Sequence, residues 1–492
     1  MLIRLKVENF KNLVDVDVRF GAFTCVAGPN AAGKSNLFDA IRFLSALTDR
    51  TLLDAAMSVR GTGRSANVRD LFHRVGDEYA STMRFEAEMI VPAEGTDDLG
   101  QKAEATTTFL RYTIEIGYRR EEGSLTGDSL ELLEENLDYI KLGDASKHLL
   151  FPTSAEWKRS VLKGRRTSPF ITTRDQDPRV IELRADGGTG GRPRRIQATN
   201  LPRTVLSTVN ATENPTALLA RREMQSWRVL QLEPSRLREP NSFMTPPGLQ
   251  ADGFGLAATV HHLAHAQENG LQEGLPPPCD QVARRLSELI DDVYAISVDR
   301  DERRELVEIQ VTDGRGTVFP ARSLSDGTLR FLALAVLEMD PTVTGVICLE
   351  EPENGIHPER IPAMLRLLED LAVKLDEPVG IENPLRQVIV NTHSPAVVQQ
   401  VPEHSLLVAE LREQVRGDTR FRCPSFSSLV RTWRGQAPGS RQIKMGTLLS
   451  YLTPTIPSSE LSVGDRGESA TRRVVDRDDV RQLVMTFANP HE

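Results

Sequence analysis

Residues 28–35 read Gly28-Pro29-Asn30-Ala31-Ala32-Gly33-Lys34-Ser35, the spacing G-x-x-x-x-G-K-[ST]. Each residue type there has a chemical reason. Small residues let backbone N–H groups converge on phosphate oxygens, and a helix starting at this point adds its positive dipole end. The Lys34 ammonium can reach β- and γ-phosphates, and the Ser35 hydroxyl is placed to ligate Mg²⁺. Both flanks agree with that chemistry. Phe23, Cys25, Val26 and Ala27 form a short apolar run suited to a doubly buried parallel strand. Leu37, Ala40, Ile41 and Leu44 then repeat at helix spacing. The stretch predicts a nucleoside triphosphate site.

A second group of chemistry-bearing residues follows roughly 290 residues later. Ser323-Leu324-Ser325-Asp326-Gly327-Thr328 precedes a helix carrying Leu329, Leu332, Val336 and Leu337 on one face. By itself this is a good helix start, with Ser325 or Asp326 as the cap. Gly345–Leu349 reads as a buried strand ending in Glu350-Glu351-Pro352-Glu353-Asn354-Gly355-Ile356-His357-Pro358. Three carboxylates at a strand end repel one another, unless they sit beside Mg²⁺ and an attacking water or form a solvated acidic loop. Val388-Ile389-Val390 is a third apolar run, ending at Asn391-Thr392-His393-Ser394-Pro395. A histidine after a strand is most often a satisfied surface or core residue, but parallel α/β sheets put ligand groups at strand C-termini.

These groups need elements to hold them. Ile3, Leu5 and Val7 alternate with charges, Asn9–Asn12 turns the chain, and Val14, Val16 and Val18 alternate again, which predicts an antiparallel hairpin. Segments 83–91, 106–118 and 130–140 read as strands. Residues 144–204 carry Gly164-Arg165-Arg166, Gly187–Gly191 and Pro193-Arg194-Arg195, the composition of loops. Helical text follows over 256–266 and 282–294, and 296–298 pairs with 306–311 by alternation. Residues 406–411 and 419–423 read as closing strands.

Composition narrows the class. The net charge of −9 carries no global basic signature for nucleic acid. The four scattered cysteines lack metal or disulfide spacing and predict a reducing, cytoplasmic setting. The N-terminus MLIRLKVENF alternates charge with apolar residues, unlike a signal peptide, and no run approaches a membrane span.

The ordered set GPNAAGKS, LSDGT, ICLEEPENGIHP and VNTHSP, with the LIRLKVENFKNL opening, resembles the ABC-type ATPase core. Within that class it is similar to SMC-like single-chain ATPases of the overcoming-lysogenization-defect (OLD) and anti-phage defence type. The likeness covers most of residues 1–50 and 318–400. It implies an α/β P-loop NTPase with a split domain, a mostly parallel sheet with flanking helices, an antiparallel β subdomain and an inserted α+β region. The expected division is 1–145 and 291–425 for the two ATPase parts, 146–290 for the insertion, and 426–492 for a C-terminal extension.

The resemblance also implies roles. ATP and Mg²⁺ are the cofactors. Gly28, Asn30, Ala31, Ala32, Gly33, Lys34, Ser35 and Asn36 cradle the nucleotide, and Lys11 approaches it from the hairpin. Ser35 and Glu350 hold the metal, Glu351 polarises the attacking water, and His393 senses the γ-phosphate. Ser325 and Gly327 resemble the signature that closes over ATP on a second subunit, with residues 354–357 as the D-loop at that seam. The site is then composite, in a homodimer or higher even homo-oligomer.

This chain departs from the general pattern in having Glu350 where Asp is usual and LSDGT in place of LSGGQ, two changes that OLD-like relatives share. A Q-loop glutamine is not assigned, and 70–72 is a candidate for its neighbourhood. No long heptad run suggests a coiled coil, and Val474–Asp479 makes a poor Toprim strand, so no built-in nuclease is expected. The expected function is an ATPase subunit, similar to the Septu type, that gates a separate nuclease effector. The alternative is a DNA-binding repair or chromosome-maintenance ATPase of RecF/SMC type, with Arg165, Arg166, Arg194 and Arg195 as its basic patch.

Overall fold

Three buried strands lie side by side and parallel: Gly345–Glu350, Arg386–Thr392 and β3 (Phe23–Ala27). Their residues are almost all buried, the pattern expected when a parallel strand is covered on both faces. In this computed structural model the described residues are 1–59, 67–120, 128–186, 192–268, 277–290, 292–417 and 419–444. The run Gly187–Gly191, the stretch Val474–Asp479 and the 426–492 extension beyond residue 444 therefore lie outside the described residues.

Among the described residues this mostly parallel sheet has seven strands. Arg228–Leu230 forms one edge, parallel to Gly345–Glu350. On the other side Leu406–Arg416 runs parallel to β3 and turns back through Thr419–Ser428, with Arg441–Gln442 at the far edge. Alternate residues feed two cores, as a period of two requires. Val26, Val346, Cys348 and Ile389 pack with the helix after β3, whereas Cys25, Ile347, Leu349, Val388 and Val390 pack with the helix Asp326–Met339.

A second, antiparallel sheet has eight strands among the described residues. β1 (Leu2–Phe10) lies between β2 (Leu13–Arg19) and Thr82–Ile90, followed by Phe109–Arg120 and Asp128–Tyr139. Three four-residue strands complete it: Ile171–Arg174, Val180–Leu183 and Arg194–Gln197. They lie in the stretch whose composition reads as loop, and four residues are too few to show a period between Arg- and Gly-rich turns. Val180–Leu183 is buried throughout, and its Glu182 is ringed by Arg174, Arg184 and Arg195.

A smaller sheet pairs Leu306–Asp313 with Val293–Asp301, Val318–Pro320 and Asn241–Ser242. Segment 146–290 thus contributes strands to all three of these sheets. Among the described residues no helix is long and apolar enough to cross a membrane.

Candidate functional site

The register of the parallel sheet assembles the site. Glu350 lies opposite Asn391, Asn391 opposite Val26, and Thr392 opposite Ala27. Parallel strands in register end on one edge, so the loops after Ala27, Glu350 and Thr392 emerge together.

After Ala27 the chain crosses the glycine-rich loop into α1 (Lys34–Ala46). Gly33 stands before the helix at φ 89°, a left-handed conformation that favours glycine. A Cβ there would also lie 2.2 Å from Cγ of Pro424, because the Leu406–Ser428 hairpin presses on the loop. The helix has no side-chain cap and no acidic residue in its first turn, leaving its leading N–H groups to an anion. Lys34 folds back, its Nζ donating to the carbonyls of Gly28 (2.7 Å) and Pro29 (2.9 Å). Burial lowers its pKa against the opposing pull of Glu351 and Glu353.

Glu351 turns the chain at φ 46°, its N–H donating to Oδ1 of the buried Asn391 at 3.0 Å. Its Oε1 accepts from His393 Nδ1 at 2.8 Å, and its Oε2 accepts from Asn354 Nδ2 at 2.9 Å. Burial pushes this carboxyl upward, but those two hydrogen bonds and the charges of His393 and Lys34 outweigh it and hold the group below its ordinary range. Glu353 behaves oppositely. It is buried, Thr392 Oγ1 donates to its Oε1, and its Oε2 has no hydrogen-bond partner among the described residues. Burial raises its pKa.

A cavity of about 320 Å³ joins these parts, lined by Asn12, residues 30–36, Glu350, Glu351 and Asn391. Asn30, Ala31, Ala32, Gly33, Lys34, Ser35 and Asn36 thus share one space with the first two carboxylates. His393 reaches it through Glu351, and Gly28 through Lys34.

Besides His393 and Gly28, three expected residues are not on its wall. Lys11 sits at φ 51° with Nζ 2.8 Å from Asp39 of α1, and its neighbour Asn12 lines the cavity instead, accepting from Asn36 at 2.7 Å. Ser325 caps the helix Asp326–Met339, accepting from the Thr328 N–H at 3.2 Å, and is exposed. Gly327 packs on the D-loop so closely that a Cβ would stand 2.3 Å from the Gly355 carbonyl oxygen. Arg330 on the same helix donates to the Asn354 carbonyl. Asp326, the charge within the signature, pairs with Arg238 at 2.6 Å.

The sheet also brings forward residues that local sequence did not single out. Leu230 pairs with Leu349, so Gln231 follows the last pair of the edge strand as Glu350 follows it on the neighbouring strand. Asn391 and Asn12 were readable only as turn residues, because nothing local says which turn faces the loop.

The donor set suits Mg²⁺. Ser35 and Glu350 offer hard oxygen atoms to one cavity. Among the described residues no three His, Cys, Asp or Glu side chains gather as a metal cage. Mg²⁺ is commonly held by one or two protein oxygens with phosphates and water completing its shell.

A glycine-rich loop at a helix start, facing carboxylates at the end of a neighbouring parallel strand, is the layout of a P-loop ATPase of the AAA class. The chain belongs to the AAA_21 family, described as "AAA domain, putative AbiEii toxin, Type IV TA system", which matches residues 23–151 and 215–399. It is 41% identical over 75 residues to Structural maintenance of chromosomes protein 1 of Schizosaccharomyces pombe, which is 15% of this chain and only 5% of that relative's length. Among solved structures, an Smc head bound to the C-winged helix domain of ScpA is similar at TM-score 0.44 and 13% identity, covering 87% of this chain and 98% of that one. The SMC head domain of Thermotoga maritima is similar at TM-score 0.36 and 12% identity, covering 87% and 98%. An Smc head with an extended coiled coil, bound to the C-terminal domain of ScpA from Pyrococcus furiosus, reaches TM-score 0.41 at 12% identity, covering 87% and 96%.

Proposed function

We propose that this chain binds and hydrolyses ATP at the loop cavity and works as a homodimer or higher even homo-oligomer with composite sites. The observation that carries this reading is the common cavity of Lys34, Ser35, Glu350 and Glu351. In it the N–H groups of residues 30–36 and Lys34 hold the phosphates, while Ser35 and Glu350 are the oxygen ligands for Mg²⁺. The metal, when bound, offsets phosphate charge. Glu351, held ionised, accepts a hydrogen bond from the attacking water, and His393 orients it. Gln231, which follows the same register position as Glu350, is the Q-loop glutamine of this reading, in place of the 70–72 neighbourhood.

Ser325 and Gly327 stay off the wall of their own chain's cavity yet form one unit with the D-loop, which supports their service to a second chain. Ser325→Arg is the test. ATP binding by the purified chain should persist while turnover is lost. Normal hydrolysis by this variant would overturn the composite site.

The role we infer is that of the cytoplasmic ATPase subunit in a bacterial anti-phage defence system of OLD or Septu-like type, gating a separate nuclease effector. Slow or regulated turnover fits that role. The family description, with its toxin and TA system, supports an ATPase read by another component. The second reading, a DNA-binding repair or chromosome-maintenance ATPase, draws support from the short match to a chromosomal SMC protein. Its basic patch is weakened by the side chains themselves. Arg166 donates to the carbonyls of Ser168, Ala185 and Asp186 and lies over Phe170, and Arg195 pairs with Glu182. Salt-dependent DNA binding by the isolated chain would favour repair, whereas co-purification with a small nuclease and no DNA affinity would favour defence.

A further inference from the structure

A second cavity, of about 580 Å³, shares no lining residue with the loop cavity and falls within the size range of small-molecule sites. Its wall combines the far end of α1, the chain just after it, and the edge strand of the parallel sheet. Among the described residues, four arginines line it, Arg42, Arg50, Arg222 and Arg228, with Asp49 as the one acid.

Two of the arginines are committed. Arg222 pairs with Asp98 at 2.7 Å, and Arg50 lies 3.7 Å from Asp49. The other two are not. Arg42 and Arg228 are half-buried, and neither has a side-chain hydrogen bond or ion pair among the described residues. Each guanidinium carries five N–H donors that no acceptor among the described residues engages, so they remain available to an anion in the cavity. The planar fork of arginine matches phosphate oxygens in pairs, and the hydroxyl of Ser45 on the same wall adds a further donor. Two uncommitted forks lining one open cavity make a phosphate cradle of a different kind from the loop, built from side chains rather than backbone N–H groups.

We propose that this cavity is a second anion site, for a small phosphate-bearing molecule, separate from the nucleotide site at Lys34. It does not depend on the ATPase reading, since none of its residues serves the loop.

The test uses the full chain carrying Lys34→Ala, which removes the loop lysine, and pyrophosphate as the probe in titration calorimetry at low salt. One pyrophosphate should bind per chain. Adding Arg42→Ala and Arg228→Ala should weaken it at least ~10-fold for each arginine, the worth of a lost charge-assisted hydrogen bond. The Arg42→Lys, Arg228→Lys pair keeps charge without the fork and should fall between, which separates a lost ligand from a lost fold. Failure of pyrophosphate to bind the Lys34→Ala chain, or binding indifferent to both arginine pairs, would overturn the site. A 5′-phosphorylated oligonucleotide that binds with the same arginine dependence where pyrophosphate does not would also overturn it, and would make the surface a nucleic-acid contact.

Discussion

Glu351 and His393, from loops after two adjacent strands, meet at 2.8 Å between Oε1 and Nδ1. Because the carboxylate only accepts, the imidazole proton sits on Nδ1 and the ring is held in one orientation. The Asn354 amide occupies the other carboxylate oxygen, so both sides of Glu351 are fixed before any substrate arrives. Replacing His393 by Ala removes one of the hydrogen bonds that keep the carboxyl ionised and leaves it held by Asn354 alone. ATP binding should be unchanged, and single-turnover hydrolysis should slow ~10²-fold or more, the usual worth of a positioned proton-transfer group. Loss of ATP binding instead would make His393 a binding residue.

The contact of Gly327 with Gly355 supplies a sharper steric test. A methyl group at 327 would stand 2.3 Å from a carbonyl oxygen, where non-bonded atoms prefer roughly 3.5 Å or more. Gly327→Ala therefore drives the helix start and the D-loop apart by about 1 Å, a displacement that costs reactions on the order of 10²-fold. ATP affinity should hold, since Gly327 is absent from the wall of the loop cavity. Turnover should fall, and the melting temperature should drop by an amount equivalent to about 1–3 kcal/mol. Full activity in this variant would show that the signature and the D-loop need not move as one.

A buried carboxyl far from that seam predicts pH-dependent stability. Glu135 is wholly buried in the antiparallel sheet, where the Tyr112 hydroxyl and the N–H groups of Val205 and Leu206 donate to it. Burial nevertheless dominates those donors and raises its pKa from 4.5 to about 7. The folded protein then binds more protons than the unfolded chain between these values, so stability falls as pH rises through that window. The loss from this group is about 3 kcal/mol, complete above about pH 7. Denaturation midpoints from pH 4.5 to 8 should show this slope in the wild type, and Glu135→Gln should remove this group's contribution to it. An unchanged slope in the variant would assign the dependence elsewhere.

How far the sequence could be read follows from what enforces each feature. The loop of Gly28–Ser35 was legible because phosphate geometry dictates residue types at fixed spacing. β3 and the Gly345–Glu350 and Arg386–Thr392 strands were legible because burial on both faces demands continuous apolar runs. The strands Ile171–Arg174, Val180–Leu183 and Arg194–Gln197 were not, since their stability comes from neighbours rather than from any period of their own. Lys11 shows a different limit. Its position in the hairpin turn was readable, but its side-chain direction is set by Asp39 on α1, a partner 28 residues away.

Gln231 was hidden for the same reason, and it gives the last test. Three residues of strand precede it, too few to mark a site, and only the pairing of Leu230 with Leu349 shows that it follows the same register position as Glu350. Its N–H donates to the Ala251 carbonyl at 2.7 Å, which anchors the backbone and leaves the turn itself fixed whatever side chain it carries. Gln231→Ala should therefore leave the melting temperature and the metal-free affinity for ATP unchanged. If the amide helps complete the metal's shell, Mg²⁺-dependent turnover should fall ~10-fold or more and the Mg²⁺ concentration for half-maximal rate should rise, as expected when a group supporting a metal site is lost. Gln231→Glu keeps an oxygen at that position and should recover part of the rate. Equal activity in the alanine variant across all Mg²⁺ concentrations would mean that the edge strand only walls the sheet, and that the metal is served by Ser35 and Glu350 without it.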